Sequence, residues 1–174
     1  MKIDGAIIRH LTVKYKKLDT KNEFFNSYIV NTGGDIKRLL IHCKDEEQLL
    51  SLTPNFTALL ESLNKLNLFS VFVFSINSTN FTDISARMFA PNIGINEDPV
   101  NGNSSIALSC VIADICNKNE VKPPLRYDVH QGKSLNKQGK TTVLLEFDNS
   151  FLVKVELAGC VVELYNHDLT KLPY

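Results

Sequence analysis

The sequence predicts an α+β domain in which a β-barrel-like sheet, mixed or antiparallel, wraps one buried central helix. Two observations lead there. Over 104–117 the chain carries Ile106, Ala107, Leu108, Cys110, Val111, Ile112, Ala113, Ile115 and Cys116, leaving only a thin polar edge at Ser105, Ser109 and Asp114. A helix apolar nearly all round must be surrounded by protein, and at about 14 residues it is too short to span a membrane. The rest of the chain is dominated by short β-branched or alternating stretches, which fit a sheet around that helix.

Taken in order, 6–15, 27–31 and 36–42 read as strands, with Thr32-Gly33-Gly34-Asp35 as a tight turn before the third. Residues 45–50 open with three acids, which suit a helix N-terminus. Thr53-Pro54 then fits an N-cap with proline at the first helical position. Phe56, Leu59, Leu60, Leu63 and Leu66 follow at helical spacing and read as one core-facing stripe. Residues 68–75 form a strongly apolar strand buried on most of its surface, and 81–89 form another. After the 104–117 helix, Lys122-Pro123-Pro124 enforces extended backbone, and strands follow over 126–131, 141–146, 153–157 and 160–165. Short turns at Asp148-Asn149-Ser150 and Ala158-Gly159 make the last three an antiparallel meander.

All 174 residues fit one domain with a sizeable core. Hydrophobic residues make up 44% and charged residues 22%, with nineteen basic residues balancing nineteen acidic ones. That balance gives no electrostatic case for nucleic acid or a membrane surface as a partner. No apolar run approaches a spanning helix and no basic-then-apolar leader opens the chain, so a cytoplasmic location is expected. Cys43, Cys110, Cys116 and Cys160 lack Cys-x-x-Cys spacing and sit in apolar stretches, which suits reduced, buried thiols. His10, His42, His130 and His167 are dispersed, so neither a metal site nor a cofactor is expected. The Asn-x-Ser/Thr stretches at Asn55, Asn77, Asn80 and Asn103 read as accidents of an Asn-rich composition.

The most informative segment is 87–105. An apolar strand ends at Pro91, a Gly-containing loop presents Glu97 and Asp98, and Pro99 leads to Asn-Gly-Asn-Ser-Ser at the head of the buried helix. The order sets a carboxylate beside free backbone N–H groups, where the orphan donors and the helix dipole favour an anion. An acid beside an anion pocket suits proton transfer on a small carboxylate-bearing molecule. The plainer reading makes Asp98 a cap of the turn and helix, as Asp often is.

The run Arg87-Met88-Phe89-Ala90-Pro91, Gly94-Ile95 and Glu97-Asp98-Pro99-Val100-Asn101-Gly102-Asn103 resembles the central motif of the phenazine-biosynthesis PhzF-like isomerases, R-x-F-x-P followed by G-x-x-E-D-P-x-T-G-[S/N]. His130-Gln131-Gly132 with Gly139 resembles the family's Q-G-x-x-x-G-R-P-G stretch, and 153–164, with Ala158 and Gly159, its closing strand pair. Upstream, Val30-Asn31-Thr32-Gly33 and 49–54 resemble its strand-Thr-Gly and Leu-x-x-L-x-P pieces, so the match spans 28–165.

The resemblance implies a diaminopimelate epimerase-like half, one of two similar halves whose cleft holds the active site. It implies that Asp98 faces a catalytic glutamate of the N-terminal half. Gly102 and Asn103 would offer N–H groups to a substrate carboxylate, with Ser104 and Gln131 also lining the site. Neither that glutamate nor the Gly-Asn-Pro loop expected with it is found before residue 28. A second chain supplying the N-terminal half, or a copy of this chain in an oligomer, is therefore expected to complete the site. The alternative is a truncated, non-catalytic relative that binds a small ligand or a protein. An unrelated barrel with a helix, such as a thioesterase-like domain, is disfavoured by the ordered run of motifs.

The chain departs from the pattern at Asn101, where Thr is usual, and at Ser104 and Ser105, where small or Gly residues usually follow. It departs again at Asn136-Lys137-Gln138-Gly139 in place of G-R-P-G, which predicts a loop that no longer orders itself. Glu97 is expected to be solvated or paired with a base, and Arg87, in a strand, to form a surface ion pair. Gln131 could line the cleft or simply bond to backbone.

Overall fold

The computed structural model describes residues 7–9, 14–18, 26–33, 35–149 and 151–160, with side chains described from residue 26 onward. The strands are β1 (Ile7–Arg9), β2 (Lys14–Leu18), β3 (Asn26–Asn31), β4 (Lys37–His42), β5 (Ser70–Ile76), β6 (Asp83–Ala90), β7 (Ile95–Asp98), β8 (Arg126–Gln131), β9 (Gly139–Asp148) and β10 (Phe151–Gly159). Three helices, α1 (Glu46–Ser51), α2 (Phe56–Leu66) and α3 (Gly102–Lys118), and two 3-10 turns complete the regular elements of the described residues.

All described strands join one mixed sheet in the order β1-β10-β9-β8-β6-β5-β4-β3-β2, with β7 paired to β6 off that path. β4–β5 and β6–β8 are parallel and the remaining pairs antiparallel. The two edge strands are neighbours in sequence, since Arg9 ends β1 and Lys14 begins β2. At about 3.6 Å per residue, the covalent chain holds those edges within roughly 18 Å of each other. The sheet is therefore curled into a half-barrel rather than open and flat.

Each parallel crossover loads one face. The β4–β5 crossover carries α1 and α2, whose Leu49 and Leu63 join Cys43, Leu68, Val71, Val73 and Phe89 in an outer cluster. The β6–β8 crossover carries α3, whose Ile106, Leu108, Val111, Ile112 and Cys116 share an inner cluster with Tyr28, Phe72, Phe74, Ile84, Tyr127, Val143 and Val155. β5 thus alternates Val71 and Val73 outward with Phe72 and Phe74 inward, so both faces are buried and its sequence reads as an unbroken apolar run. α3 touches β3 and β4 toward one end of the sheet and β9 and β10 toward the other.

The expected polar edge of α3 is not an edge. Ser105 and Ser109 are fully buried and Asp114 is 8% exposed. The serine hydroxyls turn back onto the carbonyls of Asn101 and Ile106, which lets them sit in an apolar wall without an unmet donor.

Other expectations shift for identifiable reasons. The single strand expected over 6–15 is two strands on opposite edges of the sheet. Asp45 caps α1 by accepting from the Gln48 N–H, but α2 is capped by Asn55 accepting from the Ala58 N–H rather than by Thr53. An Asx side chain is at least as good a cap as Thr, and two residues later it starts the helix after Pro54. Within the α2 stripe only Leu63 is buried, and Leu66 is 60% exposed. Ala158 and Gly159 do not turn, because β10 runs through them opposite Thr142 and Thr141. The strand expected over 160–165 lies outside the described residues beyond Cys160, as do His10 and His167. Cys160 is exposed, against the expectation of a buried thiol, while Cys43, Cys110 and Cys116 are buried.

Among the described residues, no helix is long and apolar enough to cross a membrane. No group of three His, Cys, Asp or Glu side chains there could hold a metal ion.

Candidate functional site

The site is built by a hairpin at the end of β6. Pro91–Ile93 forms a 3-10 turn, and Gly94, in the left-handed region at φ 81°, reverses the chain into β7. The acids expected in a loop therefore lie on a short strand, with Asp98 opposite Met88 and Ile95 opposite Ala90. The reversal brings Glu97 back beside Arg87. Arg87 Nε donates to Glu97 Oε1 at 2.9 Å and Nη2 to Oε2 at 2.8 Å, a bidentate pair with side chains only 7% and 8% exposed. The expected surface ion pair is a buried one. Arg87 Nη1 also donates to the Leu49 and Leu52 carbonyls at the end of α1, and Ser134 donates to Glu97 Oε1. Burial pushes the Glu97 carboxyl upward, but the hydrogen bonds from Arg87 and Ser134 and the guanidinium charge outweigh it and hold the group below its usual range.

Asp98 lies at the head of α3. Its Oδ1 accepts from the Val100 N–H at 3.1 Å and its Oδ2 from Asn101 Nδ2 at 2.9 Å. Asn101 is the N-cap: its Oδ1 accepts from the Ser104 N–H at 2.8 Å. The Asn that departs from the usual Thr thus caps the helix and ties that cap to Asp98. Gln131 bridges the same turn, accepting from the Asn101 N–H at 3.1 Å and donating to the Asp98 carbonyl at 3.2 Å. It is 3% exposed and acts on backbone, the second of its two expected roles.

Four N–H groups at a helix start lack intrahelical partners. Here those of Asn101 and Ser104 are satisfied, so Gly102 and Asn103 keep first-turn N–H groups without an acceptor among the described residues. Asn103 is exposed, whereas Ser104 is fully buried, and its hydroxyl finds no hydrogen-bond partner. Asp98, Gly102, Asn103 and Gln131 are therefore brought together, with Ser104 beneath them rather than facing outward.

Below the head of the helix, Ser105 is locked by three neighbours. Its hydroxyl donates to the Asn101 carbonyl and accepts from Thr141 Oγ1 at 2.9 Å, and its carbonyl accepts from the Tyr127 hydroxyl at 2.7 Å. The 132–139 loop is ordered in spite of its lost Arg and Pro. The Leu135 and Lys137 N–H groups both donate to the Gly132 carbonyl, and Asn136 takes a left-handed conformation that Asn tolerates. The loop closes on the motif where Gly139 meets Val100 so closely that a Cβ at 139 would overlap Val100 Cγ2.

The paired charges at 87 and 97, the Asn101 cap and the Ser105–Tyr127–Thr141 lock were not singled out as site features in the sequence. Only the cap carried a readable signal, an Asn four residues before Ser105 at the start of an apolar run.

The model of the phenazine biosynthesis-like (PhzC-PhzF) proteins matches residues 8–166, beyond the 28–165 stretch covered by the motifs. An uncharacterized isomerase of Clostridium acetobutylicum is 31% identical over 96% of this chain and 55% of its own length. The uncharacterized isomerase YddE of Escherichia coli is 32% identical over 79% of this chain and 46% of its own. The chain thus spans about half the length of the curated relatives it matches. Among solved structures, a Bacillus anthracis phenazine biosynthesis protein of the PhzF family superposes with a TM-score of 0.68 at 16% identity, covering 88% of this chain and 56% of that one. A Clostridium difficile PhzC/PhzF protein superposes with a TM-score of 0.60 at 18% identity, covering 89% of this chain and 53% of that one. These likenesses establish the shared fold, and the family match over most of the sequence goes further: the chain belongs to the phenazine biosynthesis-like, PhzC-PhzF, family.

Proposed function

We propose that this chain forms one half of an isomerase site that moves a proton on a small carboxylate-bearing molecule. The observation that carries the reading is the pair of unpaired N–H groups at Gly102 and Asn103 beside the Asp98 carboxylate, in a chain whose relatives are named isomerases. The substrate carboxylate rests on those two N–H groups, favoured by the positive end of α3. Asp98 exchanges a proton with the carbon beside it, and the buried Ser104 and bridging Gln131 keep the turn in place. The curled sheet is one half of a diaminopimelate epimerase-like fold, closed around α3. The opposing acid comes from a second polypeptide segment, either an N-terminal half or another copy of this chain, since the family resemblance implies that a glutamate across the cleft from Asp98 carries most of the proton transfer and such a group must lie within hydrogen-bond reach of the proton it moves.

Two measurements test this. In amide NMR spectra of the chain, millimolar acetate should shift the Gly102 and Asn103 N–H resonances saturably, and resonances that stay fixed would refute anion binding there. In the assembled protein, Asp98→Asn should abolish solvent-deuterium incorporation next to the carboxylate. Because Asn keeps one of the two acceptor roles, its stability cost should stay near about 1 kcal/mol. Deuterium incorporation that survives the substitution would leave Asp98 as a cap and nothing more.

A further inference from the structure

Asn101 and Gly102 form the only Asn-Gly step in the chain, at a position where Thr is usual. Asn-Gly is the dipeptide most open to deamidation, because a glycine nitrogen with no Cβ beside it reaches the preceding side-chain amide unhindered. The Gly102 nitrogen attacks Asn101 Cγ, a C–N bond forms, and the Gly102 proton passes to solvent. Nδ2 then takes a proton and leaves as ammonia, which closes a succinimide ring. Water opens that ring in one of two ways. Attack at Cγ gives aspartate, and attack at the main-chain carbonyl carbon gives isoaspartate, whose main chain runs through Cγ. Nothing is oxidised or reduced, and water is the only co-reactant.

Both reactants lie at the head of α3 and are half-buried, so solvent reaches them. The Gly102 N–H has no acceptor among the described residues, so its nitrogen gives up no hydrogen bond when it reacts. The amide, in contrast, is held at both ends. Its Oδ1 accepts from the Ser104 N–H at 2.8 Å, and its Nδ2 donates to Asp98 Oδ2 at 2.9 Å. Asp98 is itself fixed by the Val100 N–H on its Oδ1 at 3.1 Å. The main chain is held too. Asn101 is extended at φ −124° and ψ 101°, and a Cβ on Gly102 would overlap Leu157 Cδ2. Bringing Cγ onto the Gly102 nitrogen breaks both amide hydrogen bonds and turns the main chain out of this packing. Reaction therefore proceeds from a locally opened helix head, at a rate set by how often that head opens.

We propose that Asn101 is a modification site, an amide that converts spontaneously to a carboxylate at a rate governed by Asp98. Aspartate keeps the cap, since its oxygen accepts from the Ser104 N–H as well as asparagine does. The atom facing Asp98 Oδ2 is then an oxygen instead of a donor, and two carboxylates so close repel each other. Isoaspartate inserts a methylene ahead of Gly102 and displaces the first turn. Either product sets the head of α3 against an anion, a consequence that rests on the anion site proposed above; the deamidation itself does not.

The full chain is incubated in mildly alkaline buffer with and without urea, and the conversion of Asn101 is followed by peptide mass spectrometry. Deamidation is expected in urea and should be at least about tenfold slower in the folded chain, the scale of one charge-assisted hydrogen bond. Equal rates, or no conversion in urea, overturn the proposal. Asp98→Ala frees Nδ2 and should speed the folded-chain reaction about tenfold, with the Leu108 and Val111 amides still slow to exchange hydrogen. An unchanged rate, or a faster one only where those amides lose protection, overturns the part given to Asp98. Asp98→Asn keeps a neutral acceptor and should accelerate the reaction less than Asp98→Ala; the reverse order also overturns it. Asn101→Asp makes one product directly and should abolish the acetate shifts at Gly102 and Asn103 while Ser104 stays protected. Acetate shifts equal to those of the wild type would refute that consequence. If acetate shifts neither protein, the anion site fails and the deamidation rates still decide the modification.

Discussion

Arg87 and Glu97, ten residues apart on adjoining strands, form a bidentate ion pair that also ties down the end of α1 and the 132–139 loop. A buried pair is weak evidence for stability in itself, because its attraction must first repay the desolvation of both ions. Losing one partner is different. Arg87→Met should cost about 3–5 kcal/mol, since it strands a buried carboxylate and two carbonyls together. Glu97→Gln keeps the shape and changes the pH response. The folded Glu97 carboxyl lies below the ordinary value of 4.5, so its contribution is present above that value and is lost as the pH falls through the folded one. Urea titrations below about pH 5 should show a steeper acid loss for the wild type than for Glu97→Gln. Parallel acid curves would show that the pair does not govern acid stability.

How much of this was legible in the sequence depends on the range of each interaction. α3 was legible because a run that stays apolar over four helical turns must be enclosed by protein. Its cap was read at Asp98 but is Asn101, whose side chain accepts from the N–H three residues ahead while Asp98 holds the turn before it. The choice of Asn55 over Thr53 was not legible, because both are good caps and the winner is fixed by where α2 meets the outer cluster. Arg87 looked like a surface residue because the partner that buries it depends on the Gly94 reversal and the β6–β7 register. Glu46, Ser85 and Lys133 come together from segments 39 and 87 residues apart, and no local pattern encodes that meeting. Polarity alone also misplaced Ser105 and Ser109, whose hydroxyls are satisfied by their own helix.

The contact between Gly139 and Val100 makes a separable prediction. It joins the 132–139 loop to the motif turn without any hydrogen bond between the two residues, and a Cβ at 139 would overlap Val100 Cγ2. Gly139→Ala should therefore destabilise the protein by about 1–3 kcal/mol, as overpacking does. Val100→Ala removes the offending methyl, and the double variant should recover most of the loss, with a coupling of about 1 kcal/mol or more. A double-mutant cycle in urea measures it. Additive losses would mean that the clash with Val100 does not set the cost.

Tyr127 locks α3 from below by donating to the Ser105 carbonyl at 2.7 Å, with its ring fully buried. Burial, with a smaller effect from Cys110, raises its phenol well above the ordinary value of 10.0. The folded tyrosine thus stays neutral while its unfolded counterpart ionises. Its contribution is complete below pH 10 and is lost as the pH climbs through the folded value. Tyr127→Phe removes both the hydrogen bond, worth about 1 kcal/mol, and the titration. The stability gap between wild type and Tyr127→Phe should accordingly narrow as the pH is raised from about 9 to about 11 in a series of urea denaturations. Cys43, pushed up to about 11 by burial, titrates in both proteins and cancels in that comparison. A gap that stays constant across the series would mean that the phenol ionises as easily in the folded chain as in the unfolded one, which a hydroxyl sealed against Ser105 does not permit.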